Sequence, residues 1–296
     1  MEFYYFLLAV SIILSVCKSS VYNEYAKRTT PTLRSIFGFN AASYGTAAAI
    51  ALIIFLFGEK TLSLPTLLCA FFYAAIVFSL QTLSVSAMKD GAMSLTSICV
   101  MYGMIIPALA GPIFWHEPFG LIQALGILMM MLSLGLISIS SSGDKQKISK
   151  KWIILAILCF VFSGMAGVME KIHQSTDGKA ERTAFVTIAC LFMLIFSVCA
   201  RLVCRKSDNS GDSEVDVKRI LIFGAISGAI IGCYSITNLT LAGNLDSMIC
   251  YPISNGGALL LTVLVSRLLF KEALGLRRII GVVIGLAGII LLGLPA

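Results

Sequence analysis

Charge is the scarcest ingredient of this chain. Only 12% of its 296 residues are Asp, Glu, Lys or Arg, while 58% are hydrophobic; a soluble domain carries about twice that share of charge. Mean hydropathy is +0.95. A polypeptide with so little charge cannot cover a water-facing surface, so the composition describes an integral membrane protein. Other absences narrow the function. Histidine occurs only at 116 and 173, and the nine cysteines include no C-x-x-C pair. No metal site and no redox framework follows; the cysteines read as small apolar residues within or at the edges of apolar runs. There is no G-x-x-x-x-G-K-[ST] loop, so direct drive by ATP is unsupported and no cofactor is expected. Every Asp and Glu lies in a loop or at the end of an apolar run, with Glu170 nearest to an exception. Proton-coupled export of cations needs an acid near the midplane, and an intramembrane enzyme needs a nucleophile with its base; neither is visible. The first run begins at Phe3 without a basic segment before it, which argues against a cleaved signal peptide. The net charge of +7 is scattered over short connections, so no nucleic-acid partner is expected.

What the chain has in abundance is apolar runs. Ten of them, at about 3–22, 34–57, 65–87, 93–115, 119–140, 152–171, 183–203, 219–241, 246–270 and 278–294, approach membrane-crossing length, which is roughly 20 residues for a helix. Unbroken runs with no strand-like alternation exclude a β-barrel. The expected fold is all-α and integral to the membrane, with ten transmembrane helices. Most connections are short; those at 141–151 and 204–218 are longer and polar. The first divides the chain into 1–142 and 143–296, five spans each. Like units of five spans in series enter the bilayer from opposite sides, so the second half is expected to be an inverted repeat of the first within one membrane domain.

One motif supports a duplication. Trp115-His116-Glu117-Pro118-Phe119-Gly120-Leu121, followed by Gly126, matches Phe270-Lys271-Glu272-Ala273-Leu274-Gly275-Leu276, followed by Gly281. Both read Glu, two residues, Gly-Leu, four residues, Gly, and the copies are 155 positions apart. The turn Ala87–Ser94 can likewise be set against Thr240–Ser247. Glu117 and Glu272 stand where the fifth and tenth spans begin, and the positive end of those helices accounts for them. Sixteen basic residues fall in the odd-numbered connections and four in the even-numbered ones, which places the odd connections in the cytoplasm and both termini outside.

Polar side chains inside spans are the informative exceptions. Lys18 lies about fifteen residues into the first span, roughly two-thirds of the way across. Ser11, Ser15, Lys18 and Tyr22 follow helical spacing and form one polar stripe, which fits a wet cavity; the alternative is a lysine snorkelling to the headgroups. Arg267, close to the basic second hairpin, reads as such an anchor. The eighth span carries a second stripe with Ser227, Tyr234 and Asn238. In the repeat alignment Gln81 of the third span falls opposite Tyr234; both offer hydrogen-bonding groups to a cavity or, alternatively, tie helices together. The fourth span contains Tyr102-Gly103, Pro107 and Pro112, and the ninth reads Tyr251-Pro252-Ile253-Ser254-Asn255-Gly256-Gly257. Interrupted spans at matching places of two halves point to a central binding site in transporters, or else to kinked packing helices. Gly224-x-x-x-Gly228-x-x-x-Gly232 and Gly281-x-x-x-Gly285 allow close helix approach, within the molecule or in a dimer.

Two halves that each close with Glu-x-x-Gly-Leu-x-x-x-x-Gly resemble the drug/metabolite transporter superfamily over the whole chain, and the ten-helix EamA-like branch above all. The resemblance implies a central cavity lined by spans 1, 3, 4, 6, 8 and 9, supporting roles for spans 5 and 10, and alternating access as the halves rock. Members of that branch keep both termini in the cytoplasm, opposite to the basic-residue count here. The expected function is secondary transport of a small polar metabolite, an amino acid or another carboxylate- or phosphate-bearing solute, across a cell membrane, with the bacterial cytoplasmic membrane foremost. Lys18 would pair with the anionic group. Ser15, Tyr22, Gln81, Tyr234, Asn238, Ser254 and Asn255 would add hydrogen bonds, and Tyr102 and Tyr251 an amphipathic wall. Partners are the solute, the lipid bilayer and a coupling proton or ion, in a monomer or homodimer. The alternative is a multidrug exporter of lipophilic compounds that uses a pliable surface such as Met129-Met130-Met131.

Overall fold

The computed structural model describes residues 2–28, 32–57, 61–90, 93–138, 149–176, 179–207, 214–270, 275–292 and 294. Eleven helices and no strand occur among the described residues: α1 Glu2–Arg28, α2 Leu33–Phe57, α3 Leu64–Asp90, α4 Met93–Tyr102, α5 Ile105–Trp115, α6 Leu121–Ser138, α7 Lys150–Ser175, α8 Arg182–Ser207, α9 Glu214–Ala242, α10 Ser247–Phe270 and α11 Leu276–Leu292. With no water to satisfy peptide groups in hydrocarbon, long apolar runs can only fold this way. Among the described residues eight spans are long and apolar enough to cross a bilayer; α6 offers the shorter apolar stretch Leu121–Ile137, and α11 has 17 residues.

The fourth predicted span is two helices rather than one. Pro107 has no N–H to give to the Gly103 carbonyl, which instead accepts from Ile106 N at 3.1 Å. Gly103 N and Met104 N likewise bond three residues back, to Val100 O and Met101 O, so the joint is a tightened turn and Met104 keeps right-handed angles. Ser163 Oγ of α7 donates to the Val100 carbonyl at 2.7 Å. A side chain at Gly103 would collide with Ser163 and the Gly164 backbone, so glycine is what permits this crossing. By contrast α10, the ninth predicted span, runs unbroken through Pro252.

Two compact units divide the chain. One consists of Met1–Ile12, Ser79–Lys171 and Asn244–Ala296; the other consists of Ile13–Phe78 and Ile172–Gly243. In the first, α6 packs chiefly on α11, and α10 on α5 and α11. Gly281 and Gly285 of α11 abut Ile137 and Ser133 of α6, and Ser133 Oγ donates to Gly281 O at 2.7 Å. In the second unit α2 packs on α8 and α9. Its core joins Tyr44, Ala47, Ala48 and Ala51 of α2, Ala70 and Ala74 of α3, and Phe185, Ala189, Cys190 and Met193 of α8. Gly224 and Gly228 of α9 lie against Ala42, Ser43 and Thr46. Both glycine motifs therefore serve packing inside a unit, where small residues bring backbones close enough for dispersion to hold helices together in lipid.

Candidate functional site

The second unit holds one of the polar centres. Helical spacing in α1 and α9 places Lys18 against Tyr234, with the ammonium 4.4 Å from the phenol ring centroid. Lys18 is half-buried, like Ser15, Tyr22 and Tyr234, whereas Asn238 is buried. An ammonium on an aromatic face is stabilised by the ring quadrupole, by about 0.5–2 kcal/mol depending on desolvation. Tyr22 leans elsewhere. Its ring meets Phe39 edge-on at 5.6 Å beside the cluster of Tyr25, Phe39 and Ile220. Ser227 is buried in α9.

The remaining sequence candidates, Gln81, Tyr102, Tyr251, Ser254 and Asn255, belong to the first unit. Tyr102 donates its hydroxyl to Met131 O at 2.7 Å, and Tyr251 donates to Gly167 O at 2.6 Å. Both hydroxyls thus join helices by donation; their oxygens keep acceptor capacity. Ser254 is buried, Asn255 exposed and Gln81 half-buried.

A second centre in the first unit was not anticipated. His116 closes α5 in the left-handed region, φ 52 and ψ 35, and this turn aims Glu117 away from the helix that follows. Glu117 forms an ion pair with Lys171 of α7 at 2.6 Å, with both side chains nearly buried at 7% and 12% exposure. It also accepts from Ser247 N at 2.6 Å and from Ser247 Oγ at 3.1 Å. Lys171 donates in addition to Leu245 O at 3.1 Å. The expectation that Glu117 answers the helix it precedes is corrected: it caps α10, because the left-handed turn points it there, while the start of α6 is served by Gln123, which accepts from Gly120 N at 3.1 Å. Burial raises the Asp246 carboxyl above its ordinary value; the Glu117 charge adds to this and Lys171 opposes it. One signal for Lys171 was present in the sequence. It lies 153 positions after Lys18, the offset that also sets Gln81 opposite Tyr234 and Ser94 opposite Ser247. Glu272, most of the second hairpin, the side chain of Arg267, residues 91–92 of the first turn and residues 141–148 and 208–213 of the polar loops fall outside the described residues.

A third group, also in the second unit, surrounds His173, which is 1% exposed near the end of α7. Its Nε2 lies 3.1 Å from Thr66 Oγ1 and its Nδ1 lies 2.9 Å from Gln174 Nε2. Ser63 Oγ approaches Thr66 Oγ1 at 3.2 Å and donates to Glu181 Oε2 at 2.7 Å. Burial by itself would raise the Glu181 carboxyl, but the Thr66 and Ser63 hydroxyls, the Ser63 N–H and His173 outweigh it and hold the group below its ordinary value. Among the described residues no group of His, Cys, Asp and Glu could hold a metal ion.

Residues 150–294 match the EamA-like transporter family, which bears out the resemblance to the drug/metabolite transporter superfamily. Twenty-nine chains of solved structures match the fold. One of them, a crystal structure of a protein, has a TM-score of 0.75 and 13% identity over 97% of this chain and 96% of its own; at that identity the likeness speaks for the fold alone. No curated protein matches the sequence.

Proposed function

We propose, from the premise that residues 150–294 form an EamA-like transporter family domain, that this protein is a secondary transporter of a small polar metabolite bearing a carboxylate or phosphate. In this proposal ten helices in two inverted five-helix repeats carry the solute by alternating access through a central cavity. The observation that carries the solute class is Lys18, a half-buried cation deep in a span and seated on Tyr234. A charge there is costly unless a function keeps it. An anion reaching the ammonium would gain a charge-assisted interaction that repays desolvation only when most of its other groups are bonded too. Asn238 and Ser15, on the same two helices, are the nearest candidates for that. The exporter alternative draws less support, because Met130, the centre of its methionine surface, is fully buried and wedged against Gly256 and Gly288.

The test is reconstitution of the purified protein and its Lys18→Ala variant in liposomes. Counterflow of amino acids, organic anions and sugars is measured with and without a pH gradient. Exchange of an anionic or zwitterionic solute, lost in Lys18→Ala while the variant stays folded, is the expected outcome. Normal transport by Lys18→Ala would remove the assignment of that residue, and protection against lipophilic cations without metabolite flux would favour the exporter.

A further inference from the structure

The transport centre on α1 and α9 leaves unexplained why a fully buried imidazole should be linked to a carboxylate through two hydroxyls. We propose that His173 is a proton-binding site loaded through Glu181, Ser63 and Thr66, and that a proton gradient acts on the transporter there. Its coupling role rests on the transporter assignment; its proton binding does not.

The geometry supports it at each step. Thr66 Oγ1 and Ser63 Oγ bridge the imidazole and the carboxylate through separations of 3.1, 3.2 and 2.7 Å, all within hydrogen-bond reach. A hydroxyl both donates and accepts, so the pair can pass a proton by turning the O–H bonds alone. Gln174 allows the imidazole to hold either charge state. With its amide nitrogen toward Nδ1, as here at 2.9 Å, it donates to a neutral ring; turned over, its amide oxygen accepts from Nδ1–H. In the second arrangement a proton arriving on Glu181 passes to Ser63 Oγ as Ser63 gives its own to Thr66, and Thr66 gives its own to Nε2. Each hydroxyl gains one proton and loses one, Glu181 returns to carboxylate, and the ring becomes imidazolium.

The surroundings are those of a site that must bear charge briefly. Phe185 of α8 lies against the imidazole with centroids 4.3 Å apart and the planes at 31°, so an imidazolium formed there would meet part of an aromatic face. From α3 the ring is faced by Thr66, from α7 itself by Gln174, and from the α7–α8 connection by Glu181, the charged member of the set. The adjacent Arg182 directs Nη1 to Thr240 Oγ1 of α9 at 3.4 Å. Glu181, held below its ordinary value, is a carboxylate at neutral pH and the proton acceptor nearest to water. Ser63 and Glu181 stand in even-numbered connections, on the face that the basic residues assign to the outside.

A His116→Asn background leaves His173 as the sole histidine. Nitrogen NMR of this protein, labelled in the imidazole and held in micelles, follows the ring from pH 8 to pH 4 without any solute. The expected result is one reversible protonation step in the folded protein. Glu181→Gln should lower its midpoint by up to about one pH unit. Ser63→Ala should leave the midpoint in place and slow exchange between the two forms by about tenfold or more. A ring that stays neutral while the protein is folded, or unchanged exchange in Ser63→Ala, overturns the proton site. In liposomes, His173→Gln should keep counterflow of amino acids, organic anions or sugars and lose accumulation driven by a pH gradient; unchanged accumulation overturns the coupling. Absence of counterflow from the unsubstituted protein across that panel overturns the transporter assignment and the coupling with it, while the titration still decides proton binding.

Discussion

Removing Lys171 should cost less than removing Glu117, although they are two ends of one ion pair. In Lys171→Met, Glu117 keeps the Ser247 N–H and hydroxyl and the N-terminus of α10. The losses are the charge-assisted contact of 2.6 Å and the bond to the Leu245 carbonyl, about 2–3 kcal/mol together. In Glu117→Ala both Ser247 bonds and the favourable end of α10 disappear, and Lys171 keeps only the Leu245 carbonyl and the electrostatic pull of Asp246 in a nearly dry site. Stranding one partner of a buried pair costs about 3–5 kcal/mol. The double variant no longer buries an ammonium without its ion-pair partner, so its cost should fall short of the two singles added together by about 2 kcal/mol. Equilibrium unfolding in mixed micelles, followed by helical circular dichroism, measures all three. A thiol-reactive dye on Cys250, which is fully buried in α10, reports whether that helix loosens first. Strict additivity, or a Lys171→Met variant as unstable as Glu117→Ala, would refute the assignment of Glu117 as a cap and anchor for α10.

Three further outcomes follow from local geometry. His116→Gly should raise stability by about 1 kcal/mol, since φ 52 strains a residue with a side chain but not glycine; a lower unfolding midpoint would show that the imidazole does more than close the turn. Gly228→Leu should separate α9 from Ser43 and Thr46 of α2 and destabilise by about 1–3 kcal/mol or more, while Cys233→Leu, at an exposed position of the same helix, should be near neutral in the same assay. Because the folded-state value of Glu181 lies below its ordinary 4.5, its stabilisation is present above that pH and is lost as pH falls through the lowered value. Glu181→Gln should therefore flatten the acid limb of the stability profile, and an unchanged limb would show that the carboxylate is not held by Ser63 and Thr66.

Much of the fold was legible because its cause is compositional. Runs such as Leu64–Ala87 and Lys150–Ser175 are apolar for a full bilayer thickness and have one way to satisfy their peptide groups. The joint at Gly103 was legible too, since a proline four residues on removes a named hydrogen bond, yet Pro252 in α10 carried the same warning and the helix continues. Lys18 and Tyr234 were found separately by spacing and then met in space. What sequence could not supply was direction. Glu117 stands before α6 and serves α10 because one left-handed residue turns it. His173 reads as a core histidine until Ser63 and Thr66, more than a hundred positions earlier, are brought beside it. Tyr102 and Tyr251 were read as an amphipathic wall, and the backbone carbonyls of neighbouring helices that accept from their hydroxyls lie far away in sequence.

The interrupted fourth span has a mechanical consequence. At 1.5 Å per residue its pieces of 10 and 11 residues are rods of roughly 15 and 17 Å, each about half of the hydrocarbon thickness. A continuous helix must tilt as one body or break a rung of its ladder. Here the rung is already missing at Pro107: the Gly103 carbonyl takes the Ile106 N–H instead, and the serine of α7 donates to the Val100 carbonyl on the other side of the joint. Bending at that elbow would strain the short-range bonds of the joint rather than a full α ladder, so tilting one rod there costs less than bending an unbroken helix.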